Sequence, residues 1–111
     1  MIKLLNLMKC FVEQFHNKNQ FVIEYNNPDG KDSDIDGNTL LVFQSYRSVI
    51  AIYNPITKKL FVNWNKWDYS KTTMKHLKMF INEYTCYRYD NKYQFSSFLR
   101  IESKMVVLFE E

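Results

Sequence analysis

The sequence predicts an α+β fold, a single domain over residues 1–111 in which helices pack on a mainly antiparallel sheet of three to five strands. Two observations predict this class: short apolar runs separated by turn residues, and apolar residues at helical spacing over residues 3–17 and 71–85. Hydrophobic residues make up 46% of the chain and aromatic residues 17%. This composition is sufficient for a core dense in rings without disulfides.

The first predicted element is an N-terminal amphipathic helix over residues 3–17. Its apolar residues recur at steps of three and four, as one helix face requires; they are Leu4, Leu5, Met8, Phe11, Val12 and Phe15. Lys3, Lys9 and Glu13 interrupt the run, so it lacks the long apolar centre of a signal peptide. No stretch approaches the roughly 20 apolar residues of a membrane span, and we expect a cytoplasmic protein.

Alternation and turn signals predict four strands in the middle of the chain. Residues 21–25 and 40–44 read as short strands, and the segment between them holds both glycines and is predicted as a loop. Residues 49–53 are apolar throughout, which predicts a central strand covered on both faces. Pro55 starts a turn, and the alternating residues 60–64 return as the second strand of a hairpin.

The longest helical pattern covers residues 71–85 and predicts the long central helix. Its apolar face is formed by Met74, Leu77, Ile81 and Tyr84. After this helix the pattern weakens, so residues 87–95 are predicted as loop or edge structure, and residues 98–101 fit either a helical turn or a strand. Residues 105–109 predict a final strand.

Residues 32–37, with the sequence DSDIDG, match the opening of a calcium-binding loop. The twelfth position, where a bidentate glutamate closes such a loop, is Phe43, so no metal is expected to bind. Asp32, Asp34 and Asp36 instead concentrate negative charge in a chain whose formal net charge is +3. Such a loop favours docking on a charged protein partner, and a solvated loop without a partner is the alternative.

A set of lysines near two aromatic residues predicts a second candidate surface. The lysines are Lys66, Lys71, Lys75 and Lys78, and the aromatic residues are Trp67 and Tyr69. Cations that contact phosphates beside rings that stack on bases are typical of nucleic-acid binding. A lysine-rich solvent face of an ordinary helix explains the same pattern. Trp67 and Tyr69 are also candidates for contact with a protein partner.

No pattern in the sequence indicates catalysis or a cofactor. His16 and His76 are the two histidines, and neither belongs to a metal-binding or catalytic motif. Cys10 and Cys86 are the two cysteines; one disulfide is one reading, and two reduced thiols in a cytosolic setting are the other. We therefore expect a protein that is not an enzyme and has no cofactor.

Residues 45–84 carry a resemblance to a known group of proteins. An apolar strand containing Ile50 and Ala51 and a hairpin precede a helix that opens with the string Y-S-x-T-T-x-K-H, from Tyr69 to His76. This order resembles small uncharacterised proteins of bacteriophages and mobile elements. The resemblance implies no enzyme activity. In the opening string, Ser70 or Thr72 is expected to cap the helix.

The resemblance implies an accessory protein of phage type in the cytoplasm of a bacterial host cell. Such proteins bind a host or defence protein, for example a CRISPR nuclease, and we expect inhibition of the anti-CRISPR type by direct protein binding. A small nucleic-acid-binding or regulatory protein is the alternative. A third hypothesis is a homo-oligomer whose interface uses the aromatic residues of the C-terminal part, Tyr87, Tyr89, Tyr93 and Phe95.

Overall fold

A computed structural model describes residues 9–14, 19–26 and 39–111 of the chain. These residues form an α+β fold with one six-stranded sheet, whose strand order follows the order along the chain. The elements are β1 (Lys9–Gln14), β2 (Gln20–Asn26), β3 (Leu40–Ser45), β4 (Ser48–Tyr53), β5 (Leu60–Asn63), α1 (Lys71–Tyr84), α2 (Lys92–Ile101) and β6 (Val106–Phe109). Strands β1 to β5 pair antiparallel, and β6 joins β5 in parallel after the two helices.

The predicted N-terminal helix is wrong where the structure describes it. Residues Lys9–Gln14 form strand β1, which pairs antiparallel with β2, while the rest of the range 3–17 lies outside the described residues. A short apolar run such as residues 10–12 fits a helix and a strand equally well in sequence. Its backbone groups find partners along β2, so pairing in the sheet decides the conformation. The segment adds the sixth strand to a sheet predicted to have at most five.

The central strands confirm the prediction for residues 49–53. Strand β4 lies between β3 and β5, and the side chains of Ile50 and Ile52 are each 1% exposed. Phe43 pairs with Ala51 and the next residue of β3 pairs with Val49, so Ile50 is the extra residue of a β-bulge. This bulge lets Ile50 and Ala51 join the same core cluster, which explains the unbroken apolar run.

The hairpin predicted from Pro55 is also confirmed. β4 and β5 pair antiparallel on either side of the turn. The Asn54 side-chain Oδ1 accepts hydrogen bonds from the amides of Ile56 (2.9 Å) and Thr57 (3.2 Å). The amide of Lys58, whose φ is 65°, donates to the Asn54 carbonyl at 2.8 Å. Asn54 therefore ties the turn together from its first residue.

Helix α1 begins where the cap was expected. The Ser70 hydroxyl accepts from the amide of Thr73 at 3.0 Å, as an N-cap does. On the face toward the sheet, Leu77 and Ile81 are fully buried, as is Phe80, which the predicted apolar face omitted. Met74 and Tyr84, at the two ends of that predicted face, are half-buried.

The residues after α1, where the sequence pattern is weak, include a second helix. Asn91 caps α2 by accepting from the amides of Tyr93 and Gln94, each at 3.0 Å. Phe95 and Phe98 are buried on the sheet-facing side of α2, so residues 98–101 adopt the helical alternative.

The core has two parts, one on each face of the sheet. The helices cover the first face, where the cluster includes Phe43, Leu60, Leu77, Phe80 and Phe95. The second cluster, on the opposite face, is formed by Ile23, Leu40, Val42, Ile52 and Phe61.

Three of the four aromatic residues proposed for a homo-oligomer interface belong to the helix-covered part of the core. Tyr87, Tyr89 and Phe95 are at most 8% exposed, so their rings are not available to a second copy. The fourth, Tyr93, is 81% exposed. The helical pattern of α2 is weak in the sequence, so this inward packing was not predicted. Of the four proposed interface residues, one is left exposed.

Candidate functional site

Residues 64–70 connect β5 to α1, and we call residues 64–69 the aromatic turn. Asn63 anchors its start, because the Asn63 carbonyl accepts from the amides of Lys66 (3.2 Å) and Trp67 (2.9 Å). The Asn63 side chain accepts from the Asn65 amide at 3.2 Å and donates to the Val49 carbonyl at 2.9 Å. The turn is therefore joined by hydrogen bonds both to itself and to the sheet, which fixes its conformation.

Ring packing holds the aromatic turn against the core. The ring of Trp67 lies 4.5 Å from that of Phe95 and 5.7 Å from that of Trp64, measured between centroids. Trp67 is half-buried and packs on the helix-side core. Trp64 is 42% exposed and Tyr69 is 68% exposed. Of the two aromatic residues predicted to contact a partner, Trp67 thus mainly anchors the turn, whereas Tyr69 presents its ring to solvent.

A cavity of about 650 Å³ lies beside the aromatic turn, and we call it the Arg47–Lys66 cleft. It forms where the β3–β4 turn, the aromatic turn and the first turn of α1 meet. The residues that line it include Ser45, Tyr46, Arg47, Lys66, Tyr69 and Thr73. None of these three chain segments forms the cleft alone, so it is a product of the tertiary structure.

The turn between β3 and β4 places Tyr46 and Arg47 at the rim of the cleft. Tyr46 has a φ of 55°, in the left-handed region that a non-glycine residue adopts only when its surroundings hold it there. Its amide donates to the Asn19 carbonyl at 2.7 Å, which joins this turn to the start of β2. Both rim side chains are exposed, with Tyr46 at 44%.

The inner wall of the cleft is a network of hydroxyl groups. The Thr73 Oγ1 atom lies 2.9 Å from the Ser45 Oγ and 3.0 Å from the Ser70 Oγ. This network links strand β3 to the N-terminus of α1. Because the first amides of a helix have no partner within the helix, its N-terminus carries a partial positive charge.

Two cations border the same space. Arg47 is exposed, and Lys66 is half-buried with its Nζ 5.8 Å from the centre of the Tyr69 ring. In the described part of the chain, neither cation forms an ion pair with a carboxylate. Lys66 and Tyr69 were predicted as site residues. Arg47 was missed, since a single arginine in a two-residue turn has no periodic signal.

The other predicted lysines lie elsewhere on α1. Lys71 is exposed at the first residue of the helix. Lys75 and Lys78 line a separate groove of about 190 Å³ together with Trp67 and Lys92, which we call the lysine groove. The structure thus places Lys66 at the Arg47–Lys66 cleft, Lys75 and Lys78 at the lysine groove, and Lys71 at neither.

The lysine groove also contains an acidic residue. Asp90 lines it, and the Lys78 Nζ donates to the Asp90 carbonyl at 3.3 Å. The positive charge of this groove is therefore partly offset within the protein itself.

The acidic loop lies outside the described residues. Asp32, Asp34 and Asp36 therefore keep the status of predicted partner-binding residues. Among residues 9–14, 19–26 and 39–111, no cluster of three or more histidine, cysteine, aspartate or glutamate residues is arranged to hold a metal ion. Over the same residues, no helix has the length and apolarity required to cross a membrane.

Three buried tyrosines among the described residues have raised pKa values. Burial raises the pKa of Tyr53 to about 12, and a hydrogen bond with Cys86 contributes. Burial, together with the neighbouring Cys86, also raises the pKa of Tyr87, whose hydroxyl donates to the Lys58 carbonyl at 2.7 Å. Burial alone raises the pKa of Tyr89. Each of these hydroxyls stays protonated at neutral pH, as a structural tyrosine does.

His76 is buried on α1, at 4% exposure. Its Nδ1 lies 2.8 Å from the carbonyl of Thr72, one helical turn earlier. This contact orients the ring within the helix.

Comparison with known proteins adds one finding. Residues 11–97 match the model of a family described as a family of unknown function, DUF8033. No curated protein and no solved structure matches the chain. The matched range contains the aromatic turn, both rim residues of the cleft and α1.

Proposed function

The chain belongs to this family of unknown function, and we propose, from the resemblance of residues 45–84, that it is a non-enzymatic accessory protein of phage type. It acts in the cytoplasm of a bacterial host cell by binding a host or defence protein directly and inhibiting it. An anti-CRISPR type of inhibition, with a CRISPR nuclease as the target, is the form that the resemblance of residues 45–84 implies.

The observation that carries this proposal is the exposed, rigid aromatic turn. Trp64 and Tyr69 present their rings to solvent on a turn whose backbone is held by Asn63 and whose base is held by Trp67. Tryptophan and tyrosine are among the residues that contribute most to the binding energy of protein interfaces. Since the turn is already ordered, little conformational entropy is lost when a partner binds it.

The acidic loop supplies the second part of the proposal. Asp32, Asp34 and Asp36 would guide the protein toward a basic surface on the target and so raise the association rate. Nucleic-acid-binding nucleases are proteins with such surfaces.

The test is capture of a protein partner from a bacterial lysate that carries an active defence nuclease. The tagged chain is incubated with lysate that has been treated with a nucleic-acid-degrading enzyme, and retained proteins are identified by mass spectrometry. We expect one specific partner, whose activity falls on binding. Trp64→Ala should weaken the binding at least tenfold, as expected for an aromatic residue central to an interface.

Tyr93→Ala is the matched control, because Tyr93 is also highly exposed but belongs to α2 and not to the aromatic turn. It should leave binding unchanged. Replacing Asp32, Asp34 and Asp36 by asparagine should slow association with little effect on dissociation. Equal loss from Trp64→Ala and Tyr93→Ala would contradict the assignment of the contact to the aromatic turn.

The lysine groove supports a second candidate function, binding of a nucleic acid. Lys75, Lys78 and Lys92 line one groove together with Trp67. If this groove contacts phosphates, affinity for a short duplex falls steeply with salt, since each neutralised phosphate releases counterions. Reversing the charge at Lys75 and Lys78, which line the groove, should then abolish binding. If the same double variant still binds a protein partner, and this binding does not depend on salt, the result favours the first function.

A further inference from the structure

We infer that the Arg47–Lys66 cleft binds a small phosphorylated ligand that carries an aromatic ring, of the nucleoside monophosphate class. This goes beyond the proposed inhibition, because it concerns a cavity rather than the exposed surface of the aromatic turn. The cleft volume of about 650 Å³ lies within the range of ~300–1,000 Å³ that is usual for small-ligand sites.

The charge of the cleft selects an anion. Arg47 and Lys66 lie on two different turns, so the fold brings their charges to one cavity from separate parts of the sequence. Among the described residues no carboxylate neutralises either of them by an ion pair. An arginine binds phosphate oxygens through two parallel hydrogen bonds, and a lysine adds a point charge.

The hydroxyl wall and the end of α1 strengthen this selection. Ser45 and Thr73 can donate to phosphate oxygens in place of their mutual contact of 2.9 Å. Helix α1 has 14 residues, and its N-terminus opens at the cavity beside Ser70, which favours negative charge there.

A buried amide next to the cleft is an independent indication that the site is incomplete. The Gln20 side chain is fully buried, and neither its nitrogen nor its oxygen has a hydrogen-bond partner. Gln20 pairs directly with Ser45 across β2 and β3, so the two side chains share the helix-covered face of the sheet. Unpaired buried amides are rare in native proteins. A ligand that reaches the wall at Ser45, or a water molecule held beneath it, would supply the missing partner.

The rim of the cleft explains why the ligand should carry a ring. Tyr46 and Tyr69 both line the cavity and are 44% and 68% exposed, so their rings are available for stacking. A base that stacks on a tyrosine while its phosphate meets the cations uses both features of the site.

Glu111 provides an internal test of the charge argument. Arg47 and Lys66 also line a neighbouring cavity of about 230 Å³, to which Glu111 contributes. Its carboxylate lowers the positive potential that an anionic ligand meets. Removal of this charge should therefore tighten binding.

The experiment is calorimetric titration of the purified chain with adenosine 5′-monophosphate, ribose 5-phosphate, inorganic phosphate and adenosine. We expect the monophosphate to bind more tightly than the other three, because only it has both the phosphate and the ring. Arg47→Gln and Lys66→Gln should each weaken it roughly tenfold or more, as expected for a lost charged hydrogen bond. Glu111→Gln should strengthen it severalfold.

Lys104→Gln is the matched control, since it removes the same charge at an exposed position outside the cavities described. It should leave the affinity unchanged. Equal losses from Lys104→Gln and Arg47→Gln, or no binding of the monophosphate by the folded chain, would overturn the inference. An oligonucleotide whose affinity rises steadily with its length and depends on Arg47 would also overturn it, by making the cleft part of a nucleic-acid surface. Trp64→Ala leaves the cleft intact, so this inference and the proposed protein binding can fail separately.

Discussion

The substitution Ile81→Asp tests the assignment of the faces of α1. Ile81 is fully buried against the sheet, on the turn after Leu77 and one residue after Phe80. Truncating a buried isoleucine to alanine costs about 2–5 kcal/mol. The aspartate also places a polar group in an apolar environment, at a further cost of about 1–3 kcal/mol or more.

The sum is therefore at least about 3 kcal/mol, a large part of the ~5–15 kcal/mol that stabilises an ordinary domain. Urea unfolding followed by circular dichroism measures this free energy directly. At about 4 °C per kcal/mol, the melting temperature should fall by roughly 12 °C or more.

Lys75→Asp is the control, because it introduces the same side chain into the same helix at an exposed position. Its expected cost is below about 1 kcal/mol, as is usual for surface substitutions with a small change in helix propensity. Similar losses from the two variants would refute the orientation of α1 on the sheet. A loss below about 1 kcal/mol for Ile81→Asp would refute its burial.

Three further predictions concern stability. Gln20→Met should raise the melting temperature in the absence of ligand, because it replaces a fully buried amide without a partner by an apolar side chain of similar length. A lower melting temperature would mean that the amide has a hydrogen-bond partner in solution. Ser70→Ala should lower the free energy of unfolding in urea by about 1 kcal/mol, since it removes the N-cap of α1. An unchanged urea midpoint would show that the cap does not contribute to stability. Because burial raises the pKa of Tyr53 from its usual value of 10 to about 12, the folded state favours the neutral phenol. Its contribution to stability is complete below pH 10 and is lost as the pH rises through about 12. The melting temperature should fall over that interval, and less steeply in Tyr53→Phe; identical slopes would remove Tyr53 as a cause.

The candidate site was only partly accessible from the sequence. Lys66 and Tyr69 were predicted as site residues because they belong to a local group of lysines and rings. Arg47 lies far from them along the chain, in a short turn between two strands. Its proximity to Lys66 follows from the hairpin and from the end of β5, neither of which leaves a pattern in the sequence that points to a cleft.

The burial of aromatic residues was likewise decided by packing. The sequence predicted Trp64 as the last residue of the alternating strand 60–64 and Trp67 as a partner contact, but Phe95 of α2 contacts Trp67 and leaves Trp64 more exposed. Sequence reasoning did not assign α2, because its pattern is short and mixed with polar residues. It therefore had no means of deciding which tryptophan faces inward.

The parts of the fold whose signal is local could be predicted from the amino-acid sequence. Helix α1 and the hairpin of β4 and β5 were predicted correctly because a 3.6-residue period and a proline turn belong to short stretches of chain. The strand at Lys9–Gln14 instead depends on long-range packing, since an ambiguous apolar run takes the conformation in which it can pair with its neighbour. The same holds for the Arg47–Lys66 cleft, because a cavity between three turns exists only when long-range packing brings them together.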